Sequence, residues 1–170
     1  IVGGAPGMAG AIRMAGRSAF GAGAGLVHLV APAASLAELA TAEPDLQSAA
    51  WDDGSPPARV AELLARADAI IIGPGLGRAA GARTRVESAL AAAPGAAVVL
   101  DADGLMAFQG ASGALRALLG ARASVLTPHL GEFRALFPEL SAGVEHDPWG
   151  AAAKAAEIAG AVVLLKGVPS

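Results

Sequence analysis

The chain has 170 residues, 54% of them hydrophobic and only 16% charged, with 23 glycines and no cysteine. That length suits one domain with a sizeable core, and the lack of cysteine excludes a disulfide framework and a thiolate metal site. A net charge of −3 gives no electrostatic basis for binding nucleic acid or an anionic membrane. No apolar run approaches the roughly 18 residues of a membrane span, and no charged leader stands before an apolar block, so a cytoplasmic protein is expected.

In chain order, Ile1-Val2-Gly3-Gly4 reads as the end of a buried strand, and a helix is predicted over Gly10–Gly23, where Ala, Met and Phe recur at helical spacing. A strand over Leu26–Val30 follows. The stretch Ala31–Pro57 has no clear period; it holds Pro32, Pro44 and Asp52-Asp53-Gly54-Ser55-Pro56-Pro57, the composition of an exposed turn. Beyond it, helices are predicted over Pro57–Ala67, Ala79–Ala93, Ser112–Leu119, Gly131–Phe137 and Pro148–Ala159, with Ser141–Pro148 a solvated connection. Strands are predicted over Ala69–Gly73, Ala97–Asp101, Ser124–Thr127 and Ala161–Lys166. Most of these runs lack polar alternation, as strands do when both faces are buried in a parallel sheet. The expected fold is α/β: a three-layer, doubly wound, mostly parallel sheet with right-handed crossovers, one domain over residues 1–170. Both ends of the chain read as cut, so the domain is expected to be incomplete.

Ligands of open α/β sheets bind beyond the carboxyl ends of the strands, and five such exits carry unusual residues. Gly3-Gly4-Ala5-Pro6-Gly7 precedes the first helix, whose free N–H groups suit an anion; a plain tight turn is the bland reading. Gly73-Pro74-Gly75-Leu76-Gly77-Arg78 repeats that design without the G-x-G-x-x-G spacing, and no G-x-x-x-x-G-K-[ST] occurs. Leu100-Asp101-Ala102-Asp103-Gly104 ends an apolar strand on two carboxylates, which could hold a substrate hydroxyl or a cation. Asp103 alone could simply cap the next helix. In Thr127-Pro128-His129-Leu130-Gly131-Glu132, His129 and Glu132 could share a helix face. Glu132 could order a hydrated Mg2+ or serve only the helix dipole. Lys166, one of two lysines, closes the last strand and could meet an anion, although a surface role is the simpler reading.

Taken in order, Gly10-Ala11, Gly21–Val27, Gly73-Pro74-Gly75-Leu76-Gly77, Asp101–Leu105, Thr127–Phe133 and Leu165-Lys166-Gly167 resemble the ADP/ATP-dependent NAD(P)H-hydrate dehydratase family of the ribokinase-like superfamily. The Thr-Pro-His-x-Gly-Glu segment is the most telling. The resemblance implies a repair lyase that returns hydrated NADH and NADPH (NADHX and NADPHX) to NAD(P)H, with ADP or ATP as co-substrate and Mg2+ as cofactor. The ring hydroxyl would be phosphorylated and the phosphate then eliminated. It further implies that Ala11, Gly75, Gly77, Asp101 and His129 contact the hydrated dinucleotide, that Lys166, Gly167, Val168, Pro169 and Ser170 line the adenine nucleotide, and that Glu132 acts on the metal through water.

The same resemblance places the catalytic aspartate in a Gly-x-Gly-Asp segment beyond Ser170, so no catalytic base is expected within these residues, and turnover by them alone is not expected. A homo-oligomer and a fused epimerase domain are compatible with the pattern. The competing readings are a ribokinase-like kinase acting on a vitamin-precursor alcohol and a non-catalytic nucleotide-binding module.

Overall fold

The computed structural model describes residues 1–43 and 45–167. The expected nucleotide contacts at Val168, Pro169 and Ser170 lie outside the described residues. Six strands are present among those described: β1 (His28–Ala31), β2 (Gln47–Ala50), β3 (Ala69–Ile72), β4 (Ala97–Leu100), β5 (Ser124–Leu126) and β6 (Val162–Val163). All pairings are parallel, β1 with β2 on one side and β3-β4-β5-β6 on the other.

The residues at 1–3 join the two groups into one sheet. Val2 bridges Val30 and Ile72, its N–H donating to the Ile71 carbonyl and its own carbonyl accepting from Gly73 N. With residues 1–3 counted as the first strand, the strand order is 3-2-1-4-5-6-7. That is a doubly wound sheet whose direction of growth reverses between residues 1–3 and β3, which is where such sheets open a ligand crevice.

Burial along β1 defines the layers. Leu29 and Ala31 belong to a core built with Ala9 and Ile12 of α1 (Ala9–Gly21) and Leu39 of α2 (Ala33–Ala42). Val30 belongs to the other, larger core. Successive strand residues point to opposite faces, so the two cores lie on opposite sides of the sheet. The larger one is closed by α3 (Ala58–Ala65), α4 (Ala82–Ala92), α6 (Ser112–Leu119) and α8 (Pro148–Ala159). Trp51, Phe108, Phe133 and Phe137 are its largest buried side chains. The remaining short helices, α5 (Asp103–Met106) and α7 (Leu130–Leu136), follow the exits of β4 and β5. No helix among the described residues is long and apolar enough to cross a membrane.

Three expectations need correction. The span Ala31–Pro57 is not irregular: it holds α2 and β2. Its helix lacks a side-chain N-cap bond and its strand reads Gln-Ser-Ala-Ala, so neither carries a periodic or β-branched signal. The strands are also not evenly buried. Ile70, Ile72, Val98, Leu100 and Leu126 are buried, whereas Ile71, Val99 and Val125 alternate with them and are only partly covered. Finally, the connection before α8 is anchored rather than fully solvated, since Val144 is buried and Glu145 pairs with Arg134 at 2.7 Å.

Candidate functional site

The glycine turn after β3 is wedged between the exits on either side. Gly73 has φ +126, and a Cβ there would collide with the Asp101 carbonyl. Gly75 has φ +62, and a Cβ there would lie 2.6 Å from Met8 O and 3.2 Å from the Ala11 methyl. Only glycine supplies both the left-handed backbone and the missing volume. The turn is therefore held against the start of α1, with Ala5 N donating to Gly75 O at 2.6 Å and Gly4 N to Pro74 O at 3.0 Å. Ala11 is exposed in the first turn of α1, whose N-cap residue Met8 makes no side-chain capping bond.

The two aspartates after β4 diverge. Ala102 between them adopts φ 48, ψ −123, a conformation that L-residues rarely occupy. Asp103 does not cap α5 with its side chain. Its Oδ2 accepts from Gly77 N at 3.0 Å and its Oδ1 from Arg78 Nε at 3.1 Å, which ties down the far end of the glycine turn. Gly77 thus has its amide committed within the protein, while Gly75 lies at the contact with α1. Asp101 turns the other way, and its Oδ1 meets Lys166 Nζ at 2.6 Å, both side chains being partly exposed.

The exits of β5 and β6 run on in register. Lys166 N donates to Pro128 O at 2.8 Å, and His129 and Lys166 form a parallel bridge. His129 is the N-cap of α7 and so precedes the helix face it was expected to share with Glu132. Its Nδ1 accepts from Gly131 N at 3.0 Å and Glu132 N at 3.3 Å, while Glu132 Oε2 accepts from His129 N at 2.9 Å. This is a capping box with histidine in the hydroxyl role. With Nδ1 accepting, the imidazole hydrogen belongs on Nε2, which lies 3.3 Å from Glu132 Oε1. The His129 side chain is 59% exposed and can reach a ligand; that of Glu132 is 6% exposed.

Glu132 Oε2 is thus committed to the His129 amide, and no group of three His, Cys, Asp or Glu residues among those described could hold a metal. These residues do not by themselves assemble a Mg2+ site, and no step is derived through one.

Gly75, Asp101, His129 and Lys166 thus lie on adjoining strand exits, linked by the contact between Gly73 and the Asp101 carbonyl, the Asp101–Lys166 pair and the Lys166–His129 bridge. They line up along the carboxyl edge of the sheet. A concavity of about 660 Å3 lies elsewhere, between α8 and the amino ends of β5 and β6. Sequence reasoning missed Ala102 and Arg78. Alanine has no pattern that announces a positive φ, and the partner of Arg78 lies 25 residues away.

A family described as NAD(P)H-hydrate dehydratase matches residues 1–169. The chain is 44% identical, over its whole length, to the bifunctional NAD(P)H-hydrate repair enzyme Nnr of Salinibacter ruber, of which it spans 32%. It is 34% identical to the ADP-dependent (S)-NAD(P)H-hydrate dehydratase of Xanthomonas campestris, spanning 58% of that protein. Among solved structures, the ADP/ATP-dependent NAD(P)H-hydrate dehydratase of Bacillus subtilis, co-crystallised with ATP/Mg2+, matches with a TM-score of 0.69 at 25% identity, covering 98% of this chain and 56% of that one. A ribokinase-like superfamily protein of Enterococcus faecalis matches with a TM-score of 0.79 at 22% identity, with the same two coverages.

Proposed function

Since this chain belongs to the NAD(P)H-hydrate dehydratase family, we propose that it serves the nucleotide-dependent dehydration of hydrated NADH and NADPH. The ring hydroxyl oxygen gives up its proton and takes the terminal phosphoryl group of ADP or ATP, and AMP or ADP leaves. The ring then loses a proton and phosphate, and the double bond returns. Hydroxide leaves poorly and phosphate well, so the protein's task is positioning and charge neutralisation.

The observation that carries this reading is the Asp101–Lys166 pair, held between the glycine turn and His129. Lys166 offers an ammonium to nucleotide phosphates, and Asp101 holds it at the centre of the row. Ala11, Gly75 and His129 lie along the same edge and receive the hydrated dinucleotide. Gly77 contributes through the turn that Asp103 fixes rather than through its own amide. A Mg2+ ion would arrive on the nucleotide's phosphates, since Mg2+ keeps most of its waters and takes few protein ligands; Glu132 would meet it only through water. The residues of this chain are assigned binding and orienting roles and no catalytic base. A cytoplasmic setting, a fused epimerase partner and a homo-oligomer belong to the same proposal. The bifunctional name of the Salinibacter relative supports the second of these.

The test is calorimetric titration of the chain with ADP. Lys166→Met is expected to weaken ADP binding roughly ten-fold and Lys166→Arg to keep most of it, since a single charge-assisted contact is worth about 1.5–3 kcal/mol. ADP affinity that ignores both substitutions would remove Lys166 from the site. In the full-length enzyme, ATP with a panel of alcohols yielding a stable phosphate ester would mark a kinase instead.

A further inference from the structure

Beside the glycine turns lies a concavity of about 240 Å3 to which none of the roles above is assigned. Ala5 and Leu76 form its wall on the glycine-turn side, Asp52 and Asp53 line it from the exit of β2, and Gly81 and Arg85 from the start of α4. Ala5 is also the residue whose N–H bonds Gly75 O, so the concavity begins where the row of strand exits ends. At about 4.8 Å per strand, the three intervals from residues 1–3 to β5 span about 14 Å. An extended dinucleotide with one ring at His129 would bring its other nucleoside here. The volume is below the roughly 300 Å3 at which whole-ligand pockets begin, which suits one end of a ligand and not all of it.

The charges lining it are arranged in a particular way. Arg85 is largely buried, with its guanidinium 5.6 Å from the centre of the Trp51 ring and Nη2 3.2 Å from Asp53 Oδ1. Asp52 Oδ1 accepts from Ala33 N at 2.9 Å. Two carboxylates thus stand against one guanidinium that is already paired. In Rossmann-type sites a carboxylate accepts from the ribose 2′-hydroxyl, whereas a nearby arginine accommodates a 2′-phosphate; here the one arginine is already paired with Asp53. We infer that this concavity takes the adenosine ribose of the dinucleotide and selects the form without a 2′-phosphate. The inference rests on the dinucleotide reading proposed above.

The test titrates the full chain with NADH and with NADPH, using ADP as the control for the Lys166 end. NADH is expected to bind roughly five-fold tighter than NADPH, and Asp53→Asn to narrow that ratio by strengthening NADPH, a modest effect because Asp53 is exposed to screening water. Gly81→Leu puts bulk at the rim. Gly81 has φ −83 and an added Cβ there meets nothing within 4 Å, so the fold tolerates it. NADH binding should fall roughly ten-fold, the scale of about 1.4 kcal/mol, with ADP binding unchanged. Equal affinity for NADH and NADPH, an unchanged ratio in Asp53→Asn, or NADH binding that ignores Gly81→Leu overturns the inference while leaving the dinucleotide reading in place. Failure of the parent chain to bind NADH at all overturns both.

Discussion

Ala102 holds the strain of the site. Its φ of 48 with ψ −123 splits Asp101 from Asp103, sending one to Lys166 and the other to the glycine turn. A conformation of this kind costs an L-residue about 1–3 kcal/mol, partly offset in a glycine variant by the greater freedom of its unfolded chain. Ala102→Gly is therefore expected to raise stability by about 1 kcal/mol, seen as a higher urea midpoint with unchanged slope; a lowered midpoint would mean that the turn is unstrained. At this scale the sequence was informative where a residue type is chemically rare. A lysine closing a strand, carboxylates ending an apolar run and a histidine beside Thr-Pro each stood out, and the structure places all of them on one edge. Which groups pair was not legible. Asp103 looked like a cap because capping is the commonest local use of aspartate, and its real partners, Gly77 and Arg78, come from another strand exit.

Elements were legible in proportion to their apolar patterning. The strands after residue 68 and the helices that bury a regular stripe were readable to within a few residues. α2 and β2 were not, because proline at the start of one and small or polar residues in the other leave no period to detect. What holds the helices in place was also hidden. Arg122 is such a device: its Nη1 donates to Leu90 O at 3.3 Å and Ala93 O at 3.2 Å, and its Nε to Leu119 O at 3.2 Å. One guanidinium thereby adds a second bond to carbonyls at the carboxyl ends of both α4 and α6 that already accept backbone N–H groups, where the helix dipole concentrates partial negative charge. Arg122→Ala is expected to cost about 2 kcal/mol, from the lost charge-assisted bonds that tie the two helix ends together. Arg122→Lys should recover only part of it, because an ammonium cannot fork between two helices. Denaturant midpoints of the two variants check this, and equal midpoints for alanine and parent would refute it.

Across the whole molecule the two faces of the sheet are unequally clothed. On one face α3, α4, α6 and α8 close the larger core over β3, β4 and β5. On the other, α1 and α2 pack against β1, and Ile71, Val99 and Val125 fall in neither core. The strand register sets these three in line with Val162, through Ile71↔Val99, Val99↔Val125 and Val125↔Val162, and Val162 is 63% exposed. The stripe is thus a continuous apolar band on the α1 side of the sheet, of the kind that single exposed side chains do not form. Such a band should bind a hydrophobic reporter dye in the folded chain. Replacing Val99 and Val125 together by threonine keeps β-branched side chains that suit a strand while removing two of the four apolar positions. Dye fluorescence is expected to fall, by less than half because each threonine keeps one methyl and Val162 is unchanged, and the unfolding midpoint to move little because neither side chain is part of a closed core. An unchanged dye signal would mean that the band is covered in solution. A large loss of stability would mean that these valines carry packing the two cores do not include.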